Sequence, residues 1–388
     1  MLWGDAISLE YGKSLRDYKS GKGEIPVFGT NGQVGWTEKH LAPGPGVILG
    51  RKGAYRGTHF SERPFFVIDT AYYVKPKIDL DMRWLYYAII HDKLGEVDDG
   101  SPIPSTTRAA VYVREYQFPP LPEQRAIASV LCALDDKIEL NRRMNETLEG
   151  MARALFKDWF VHFGPTRAKM AGDAPYLAPE IWSLFPDRLD DNGVPEGWEV
   201  STLGEHTLNF DRKRIPLSKK ERAVRKGQYP YHGATGVMDY VDDFLFEGIF
   251  VLVGEDGSVV KDKTGLAFTQ YAWGKFWVNN HAHVLQGKGS VSTEQIMMYF
   301  QHEPVTPYIT GAVQLKLSQG RMNSMPFVFP GEALCNAFSE TVKLLFKRLR
   351  VNTEESRTLA QTRDLLLPKL MSGELRVREA EKIVEGGG

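Results

Sequence analysis

Gly23-Glu24-Ile25-Pro26-Val27-Phe28-Gly29-Thr30-Asn31-Gly32 returns later in the chain as Gly227-Gln228-Tyr229-Pro230-Tyr231-His232-Gly233-Ala234-Thr235-Gly236, with Gly23, Pro26, Gly29 and Gly32 each repeated 204 positions on. The offset holds outward from there. Leu41 becomes Leu245, and Val47-Ile48-Leu49-Gly50 with Gly53 becomes Val251-Leu252-Val253-Gly254 with Gly257. Further on it drifts to 211, pairing Ala71 with Ala282 and Asn141 with Asn352. Such a period is far beyond the roughly 20–50 residues of a solenoid repeat, so a whole domain and its appendage are duplicated in tandem. Two like copies imply two like sites.

A length of 388 residues allows two or three domains, each able to bury a core. Hydrophobic residues at 42% and charged residues at 25% fit a soluble globular chain. No apolar run approaches the roughly 20 residues that span a bilayer, and Met1-Leu2-Trp3-Gly4-Asp5 lacks the regions of a signal peptide, so a cytoplasmic location without membrane contact is expected. Cys132 and Cys335 lie 203 apart where local equivalence is 211, and they form no metal-ligand spacing; buried, reduced side chains are expected. A net charge of −1 does not favour nucleic acid. The basic residues are locally clustered, however, as Arg212-Lys213-Arg214 and Lys219-Lys220-Glu221-Arg222-Ala223-Val224-Arg225-Lys226, with Lys13, Arg16, Lys19, Lys22, Arg51, Lys52 and Arg56 scattered through the first copy. Such runs are usually solvated surface and alone do not carry a DNA reading.

Each copy reads as a β-rich module followed by one long helix. Residues 1–118 contain short runs such as Phe65-Phe66-Val67-Ile68 and Ala71-Tyr72-Tyr73-Val74, broken by Gly, Pro and Asn. The second copy answers with Ile249-Phe250-Val251-Leu252-Val253 and His281-Ala282-His283-Val284-Leu285. Small helices are expected at 82–91 and 293–302. The long helix opens after Pro119-Pro120-Leu121-Pro122, where proline in the first turn costs no hydrogen bond and Glu123 complements the helix dipole.

Its seam runs Ile127, Leu131, Leu134, Ile138, Asn141, Asn145, Leu148, Ala152, Leu155, Trp159, and the second copy repeats it as Phe338, Val342, Leu345, Leu349, Asn352, Ser356, Leu359, Arg363, Leu366, Leu370. Alternating steps of four and three are coiled-coil spacing. In an antiparallel pair with a pseudo-two-fold axis, equivalent residues meet near the midpoint. Asn145 is then expected to face Asn352, and Asn141 to face Ser356, in a polar layer that sets register at the expense of burial; the alternative is a loosened, hydrated stretch. A helix over 123–163 is roughly 60 Å long at ~1.5 Å per residue, which makes it a ruler. The expected fold is α+β: two pseudo-symmetric α/β modules at 1–119 and 197–331, separated by antiparallel coiled-coil helices at 120–163 and 332–375. A connector at 164–196 holds Pro165, Pro175, Pro179, Pro186 and Pro195, with Tyr176, Trp182 and Phe185 as aromatic anchors against the protein or a partner. A tail at 376–388 is expected to end in disorder at Glu385-Gly386-Gly387-Gly388.

Pro119-Pro120-Leu121-Pro122-Glu123-Gln124-Arg125-Ala126-Ile127-Ala128, followed by Leu134-Asp135-Asp136-Lys137-Ile138 and Asn141, resembles the specificity subunit of Type I restriction-modification systems. So do Val194-Pro195-Glu196-Gly197-Trp198-Glu199-Val200-Ser201-Thr202-Leu203-Gly204 and Leu365-Leu366-Leu367-Pro368-Lys369-Leu370-Met371-Ser372-Gly373-Glu374-Leu375. The resemblance implies two target recognition domains, each reading one half of a split target in double-stranded DNA, with helices setting the gap. It also implies that the chain performs no chemistry and binds no cofactor. Two modification subunits would methylate adenine with S-adenosylmethionine, and two restriction subunits would use ATP and Mg. The first copy departs from the pattern in lacking a full Pro-Glu-Gly-Trp lead-in, and the second has Pro330-Gly331-Glu332-Ala333 in place of the Leu-Pro-Glu-Gln run.

Base reading in the major groove calls for Arg, Lys, Asn and Gln, backed by phosphate contacts. The repeated turn presents Thr30 and Asn31, or Thr235 beside His232, unless its glycines serve the turn alone. A second loop holds Arg51, Lys52 and Arg56 where the other copy has Glu255, Asp256 and Ser258, a difference suited to guanine against cytosine or to phosphate contact. Arg321 and Asn323 roughly answer Arg108. With Lys13, Arg16, Arg212, Lys213, Arg214, Lys219 and Lys220, these are the candidate DNA contacts.

Searches for catalytic and metal motifs find none that is complete. Gly12-Lys13-Ser14 lacks the opening glycine of a phosphate loop, which Ile7 replaces, and Gly29, Gly32 and Gly35 have the wrong spacing for a dinucleotide fold. Asp173-Ala174-Pro175-Tyr176 has alanine where an adenine-methyltransferase tetrapeptide has proline, and His302-Glu303 lacks a second histidine. The competing readings are a scaffold whose modules bind proteins or glycans and a degenerate methyltransferase.

Overall fold

The computed structural model describes residues 1–388 except 54, 99, 101–103, 258, 312–313 and 387–388, and leaves aside the side chains of Ser20 and Glu385. The expectations for Ser258 and for Gly387-Gly388 fall outside the described residues. The chain divides into unit 1, Met1–Arg142 with Glu354–Gly388, and unit 2, Arg143–Thr353. The module of unit 1 comprises α1 (Trp3–Ala6), β1 (Ile7–Tyr11), β2 (Ile25–Gly29), β3 (Gly32–Thr37), β4 (Gly46–Gly50), β5 (Thr58–Ser61), β6 (Phe66–Val67), β7 (Ala71–Pro76), α2 (Met82–His91) and α3 (Arg108–Tyr112). After α4 (Leu121–Phe160) come α5 (Gly164–Ala171) and α6 (Pro179–Trp182). The module of unit 2 contains β8 (Glu199–Thr202), β9 (Thr207–Asn209), α7 (Lys219–Val224), β10 (Lys226–His232), β11 (Val237–Val241), β12 (Phe246–Gly254), β13 (Thr269–Val278), β14 (Ala282–Gly287), α8 (Thr293–Phe300), α9 (Gln319–Asn323) and β15 (Pro326–Phe329). Helices α10 (Glu332–Met371) and α11 (Val377–Gly386) follow.

The copies share their punctuation. Asp81 caps α2 and Ser292 caps α8, each accepting from the backbone N–H three residues on. Thr107 caps α3 and Ser318 caps α9 in the same way. Helices α4 and α10 each contain 40 residues. Gly4 lies against Tyr112 and Gly204 against Asn323 so tightly that an added Cβ would stand 2.8 Å from the neighbour's own Cβ.

Prolines account for the largest difference between the two modules. In unit 2, β12 and β13 pair without interruption from Phe246↔Phe276 to Val253↔Thr269. In unit 1 the matching ladder survives only between Gly46↔Ser61 and Leu49↔Thr58, with an isolated bridge, Ala42↔Phe65, beyond it. Pro43, Pro45 and Pro64 occupy the gap where unit 2 has Glu247, Ile249 and Lys275. Proline has no N–H to give a ladder. Unit 2 therefore forms one six-stranded sheet, β11-β10-β13-β12-β14-β9, beside the small pair β15-β8, where unit 1 divides the matching strands between two sheets, β1-β7-β4-β5 and β3-β2-β6.

Each unit packs its sheet on helices through an aromatic core. In unit 1, Trp3, Trp84 and Tyr87 share a buried cluster with Leu131 and Leu134 of α4 and Leu366 and Leu370 of α10. Arg363 Nη1 meets Asp135 Oδ1 at 2.6 Å and Lys137 Nζ meets Glu355 Oε1 at 3.6 Å, so the helices run antiparallel there. In unit 2, Phe156, Trp159 and Phe160 pack on Phe338, the Phe160 and Phe338 ring centroids 4.9 Å apart. Phe185 of the connector is buried beside Trp159 and Trp198, and Tyr176 Oη donates to Asp158 Oδ2 at 2.9 Å.

The polar seam residues are fully buried at Asn141 and Asn352. Asn352 Nδ2 donates to Asn145 Oδ1 at 2.9 Å, and Asn145 Nδ2 donates to Thr353 Oγ1 at 3.0 Å. Asn141 does not pair with Ser356 as expected: its Nδ2 donates to Glu355 Oε2 at 2.7 Å, because the longer glutamate reaches into the seam and offers a charged acceptor. Asn352→Leu is expected to destabilise the protein by about 1–3 kcal/mol by stranding the Asn145 carbonyl, whereas the double change to leucine recovers most of that loss. Denaturant titration of both variants measures it.

Four expectations are corrected. Helices α4 and α10 end at Phe160 and Met371, short of 163 and 375; Phe163 and Gly373 take left-handed φ values of 52° and 75°, which end the coil. The tail forms α11, because Val377, Ala380 and Val384 share one face and Ala380 is fully buried against unit 1. Cys335 is buried but Cys132 is only half-buried; both are free thiols. The second small helix stops at Phe300 rather than 302. No described helix is long and apolar enough to cross a membrane.

Candidate nucleic-acid interface

In each module, loops from distant parts of the sequence converge at one end, held by equivalent backbone hydrogen bonds. In unit 1, Gly50 N donates to Gly57 O, Arg51 N to Thr70 O, and Thr106 N to Arg51 O, at 2.8, 3.0 and 2.9 Å. In unit 2, Gly254 N donates to Phe268 O, Glu255 N to His281 O, and Leu317 N to Glu255 O, at 2.9, 2.8 and 2.8 Å. One side chain braces each junction from the second residue of β7 or β14: Tyr72 Oη donates to Thr106 O at 3.2 Å, and His283 Nε2 contacts Leu317 O at 2.7 Å. The scaffold is common to both modules, but the chemistry built on it differs.

In unit 1 this junction is aromatic and cationic. The Arg51 guanidinium lies 4.8 Å from the Tyr11 ring centroid and 5.8 Å from that of Tyr72. Burial, with Tyr11 alongside, pushes the Tyr72 hydroxyl up to about 12, against the opposing pull of Arg51. Arg108 stacks 4.1 Å from the Tyr11 centroid.

In unit 2 the equivalent position is a closed ion-pair hub. Arg214 Nη1 bonds Glu255 Oε2 and Ala282 O, both at 2.6 Å, and Nη2 reaches Asp211 Oδ2 at 3.6 Å. His283 Nδ1 contacts Asp211 Oδ2 at 2.6 Å, and Lys316 Nζ lies 3.4 Å from Glu255 Oε1. Burial works to raise the Asp211 carboxyl, but hydrogen bonds from His283, Asn209 and the Val284 N–H outweigh it and hold the group below its ordinary range. Asp211, Glu255 and His283 bring their ligand atoms within 4.8 Å of one another, a grouping that could hold a metal ion. Arg214 already fills the space between the carboxylates, so an ion would have to displace it.

The candidate contacts divide by exposure. Lys13, Arg16, Asn31 and Lys52 in unit 1, and Arg212, Lys213, Lys219, Lys220, Thr235 and Arg321 in unit 2, are exposed. Arg51 and Arg108 are half-buried, with edges still open to solvent. The others are corrected. Thr30 turns its hydroxyl inward to Thr70 O at 2.7 Å. Arg56 is a loop brace, its Nε on Gly95 O at 2.8 Å and its Nη1 on Gly53 O at 2.7 Å. Arg214 is consumed by the hub. His232 is buried, its Nδ1 2.9 Å from Gln270 Oε1, and burial lowers its pKa. Asn323 packs behind Gly204, and by structural equivalence it is Gln319 that answers Arg108. Part of the basic stretch is also neutralised, since Arg222 and Lys226 pair with Asp239 and Arg225 with Asp242.

Tyr11 and the Tyr72–His283 brace were missed from sequence. The signal available for the brace was the offset of 211 itself, which sets tyrosine opposite histidine within otherwise similar strands.

The profile of the Type I restriction modification DNA specificity domain matches residues 7–150 and 195–332, and the chain belongs to that family. The modules are the two target recognition domains of a Type I restriction-modification specificity subunit. Over 412 residues the chain is 23% identical to the Type I restriction enzyme MjaIX specificity subunit of Methanocaldococcus jannaschii, covering 97% of this chain and 88% of the relative. It is 23% identical to the HindI specificity subunit of Haemophilus influenzae over 70% of this chain and 71% of that one. The fold is similar to the crystal structure of a Type I restriction-modification system S subunit from M. genitalium, with a TM-score of 0.56, 17% identity and 95% coverage of both chains.

Proposed function

We propose that this chain reads a split target in double-stranded DNA for a Type I restriction-modification complex and performs no chemistry itself. Each module contacts one half-site through its converged loops, and the paired helices set the gap. The chain docks two modification subunits that methylate adenine with S-adenosylmethionine, and two restriction subunits that use ATP and Mg. Such a complex works in the cytoplasm, where the DNA is. The observation that carries this reading is a duplicated loop scaffold bearing different side chains in each copy, as two unlike half-sites require.

The exposed cations Lys13, Arg16, Lys52, Arg212, Lys213, Lys219, Lys220 and Arg321 are assigned to phosphate, each contributing about 0.9 to the slope of log K against log salt. Asn31 and Thr235, at the turn tips, are assigned to base edges. Mapping methylated adenines in cells that carry this chain with its modification subunit tests the proposal. The expected product is a two-part motif with a fixed unread gap; methylation at a contiguous short site, or binding indifferent to sequence, refutes it.

A further inference from the structure

Tyr11 ends β1 with 46% of its surface exposed, and two guanidiniums lie within 5 Å of its ring centroid: Arg108 at 4.1 Å and Arg51 at 4.8 Å. Among the described residues, the one ion pair that either arginine makes is between Arg108 Nη2 and Glu10 Oε2, at 3.9 Å. The other oxygen of Glu10 accepts from Ser8 Oγ at 2.6 Å. Arg51 Nη1 donates to Asp69 O at 3.2 Å. Arg108 Nε is shut off from water without an acceptor among the described residues. Two cations crowded on one ring repel each other, and an acceptor-rich group meeting their solvent-facing edges relieves that repulsion.

We propose that Tyr11, Arg51 and Arg108 form the base-reading element of unit 1 and take the edge of a guanine in the major groove. Stacking on Tyr11 sets the plane of a guanidinium, and its fork then matches guanine O6 and N7. Unit 2 has no such element among its described residues: Glu255 replaces Arg51, Gln319 replaces Arg108, and the neighbouring Arg214 is closed off by carboxylates. One half-site is therefore read through this guanine contact and the other is not. The inference rests on the DNA-reading function proposed above. A backbone phosphate offers the same acceptor chemistry, and the test separates the two.

The experiment uses the full chain in complex with its modification subunits, bound to its methylation target. Each guanine is replaced in turn by 7-deazaguanine, which lacks the N7 acceptor. One guanine, confined to one half-site, is expected to lower wild-type affinity roughly tenfold or more when replaced. In Arg108→Lys or Tyr11→Leu that replacement is expected to cost nothing further, while the salt slope of Arg108→Lys stays at the wild-type value. The base-analogue series uses unaltered protein, so its result stands even where a variant fails to assemble. The proposal is overturned if no guanine is sensitive. It is equally overturned if Arg108→Ala weakens all sequences alike and lowers the salt slope by about 0.9, with a methylphosphonate linkage reproducing the loss, since the group would then be a phosphate clamp. A wild-type complex that cannot tell its target from a scrambled duplex removes the DNA-reading function itself, an outcome distinct from either.

Discussion

Four residues inserted into each long helix, between Arg142 and Arg143 and between Thr353 and Glu354, will widen the gap in the methylated target and leave both half-sites unchanged. These are the positions at which the two units divide, and both fall inside uninterrupted helices of 40 residues. Four residues add roughly 6 Å of helix at ~1.5 Å per residue, close to two base pairs of B-form DNA at ~3.4 Å each. Lengthening both helices together preserves the Asn145–Asn352 bond in unit 2 and the Asn141–Glu355 bond in unit 1, since each pair lies wholly on one side of the insertion. Methylation at the original target should fall at least a hundredfold and reappear at the same halves set further apart. The check is a methylation map of cells carrying the altered chain. A changed half-site with an unchanged gap would sink the assignment of spacing to the helices.

Arg214→Ala will unfold the converged loops of unit 2 while sparing unit 1. Arg214, Asp211 and Glu255 have side-chain exposures of 11%, 7% and 13%, so truncation removes the bridging cation from two poorly hydrated carboxylates and leaves Asp211 to His283 and Glu255 to Lys316. Breaking a buried pair in this way costs about 3–5 kcal/mol. For a unit of this size the melting temperature should fall on the order of 10 °C. The pH dependence has a definite sign. The Asp211 carboxyl is depressed in the folded state, so its contribution is complete above the ordinary carboxylate value of about 3.9 and is lost as pH falls through the lower folded value. Wild type and variant should both lose this contribution in acid, because the bonds from His283, Asn209 and the Val284 N–H that depress Asp211 do not involve Arg214. Hydrogen exchange gives the local readout, with protection lost around 209–214, 254–257 and 281–285 and retained in 1–118. Equal loss in both units would refute a hub confined to unit 2.

Much of the architecture was legible because it is written in local patterns. The recurring Gly-Pro-Gly-Gly spacing exposed the duplication, and steps of four and three identified α4 and α10 to within a few residues of their ends. Helix α11 was overlooked because its apolar stripe, Val377, Ala380 and Val384, is short and runs into glycines that read as a tail. The site was far less legible. Arg51 and Arg56 stand five residues apart in one loop, yet the first presents an edge to solvent and the second is spent on the carbonyls of Gly95 and Gly53. Arg212 and Arg214 differ in the same way, one exposed and the other enclosed by Glu255 from 41 positions downstream.

The sequence by itself determined that there are two copies of one module, each followed by a long seam-bearing helix, because periodicity and turn residues act over a few neighbours. Only the tertiary structure decided which cations remain open to solvent. The availability of a charge depends on the carboxylates, carbonyls and rings that the fold brings against it. Those partners come from distant strands, and in these two copies the same scaffold supplies a tyrosine in one and a pair of acids in the other.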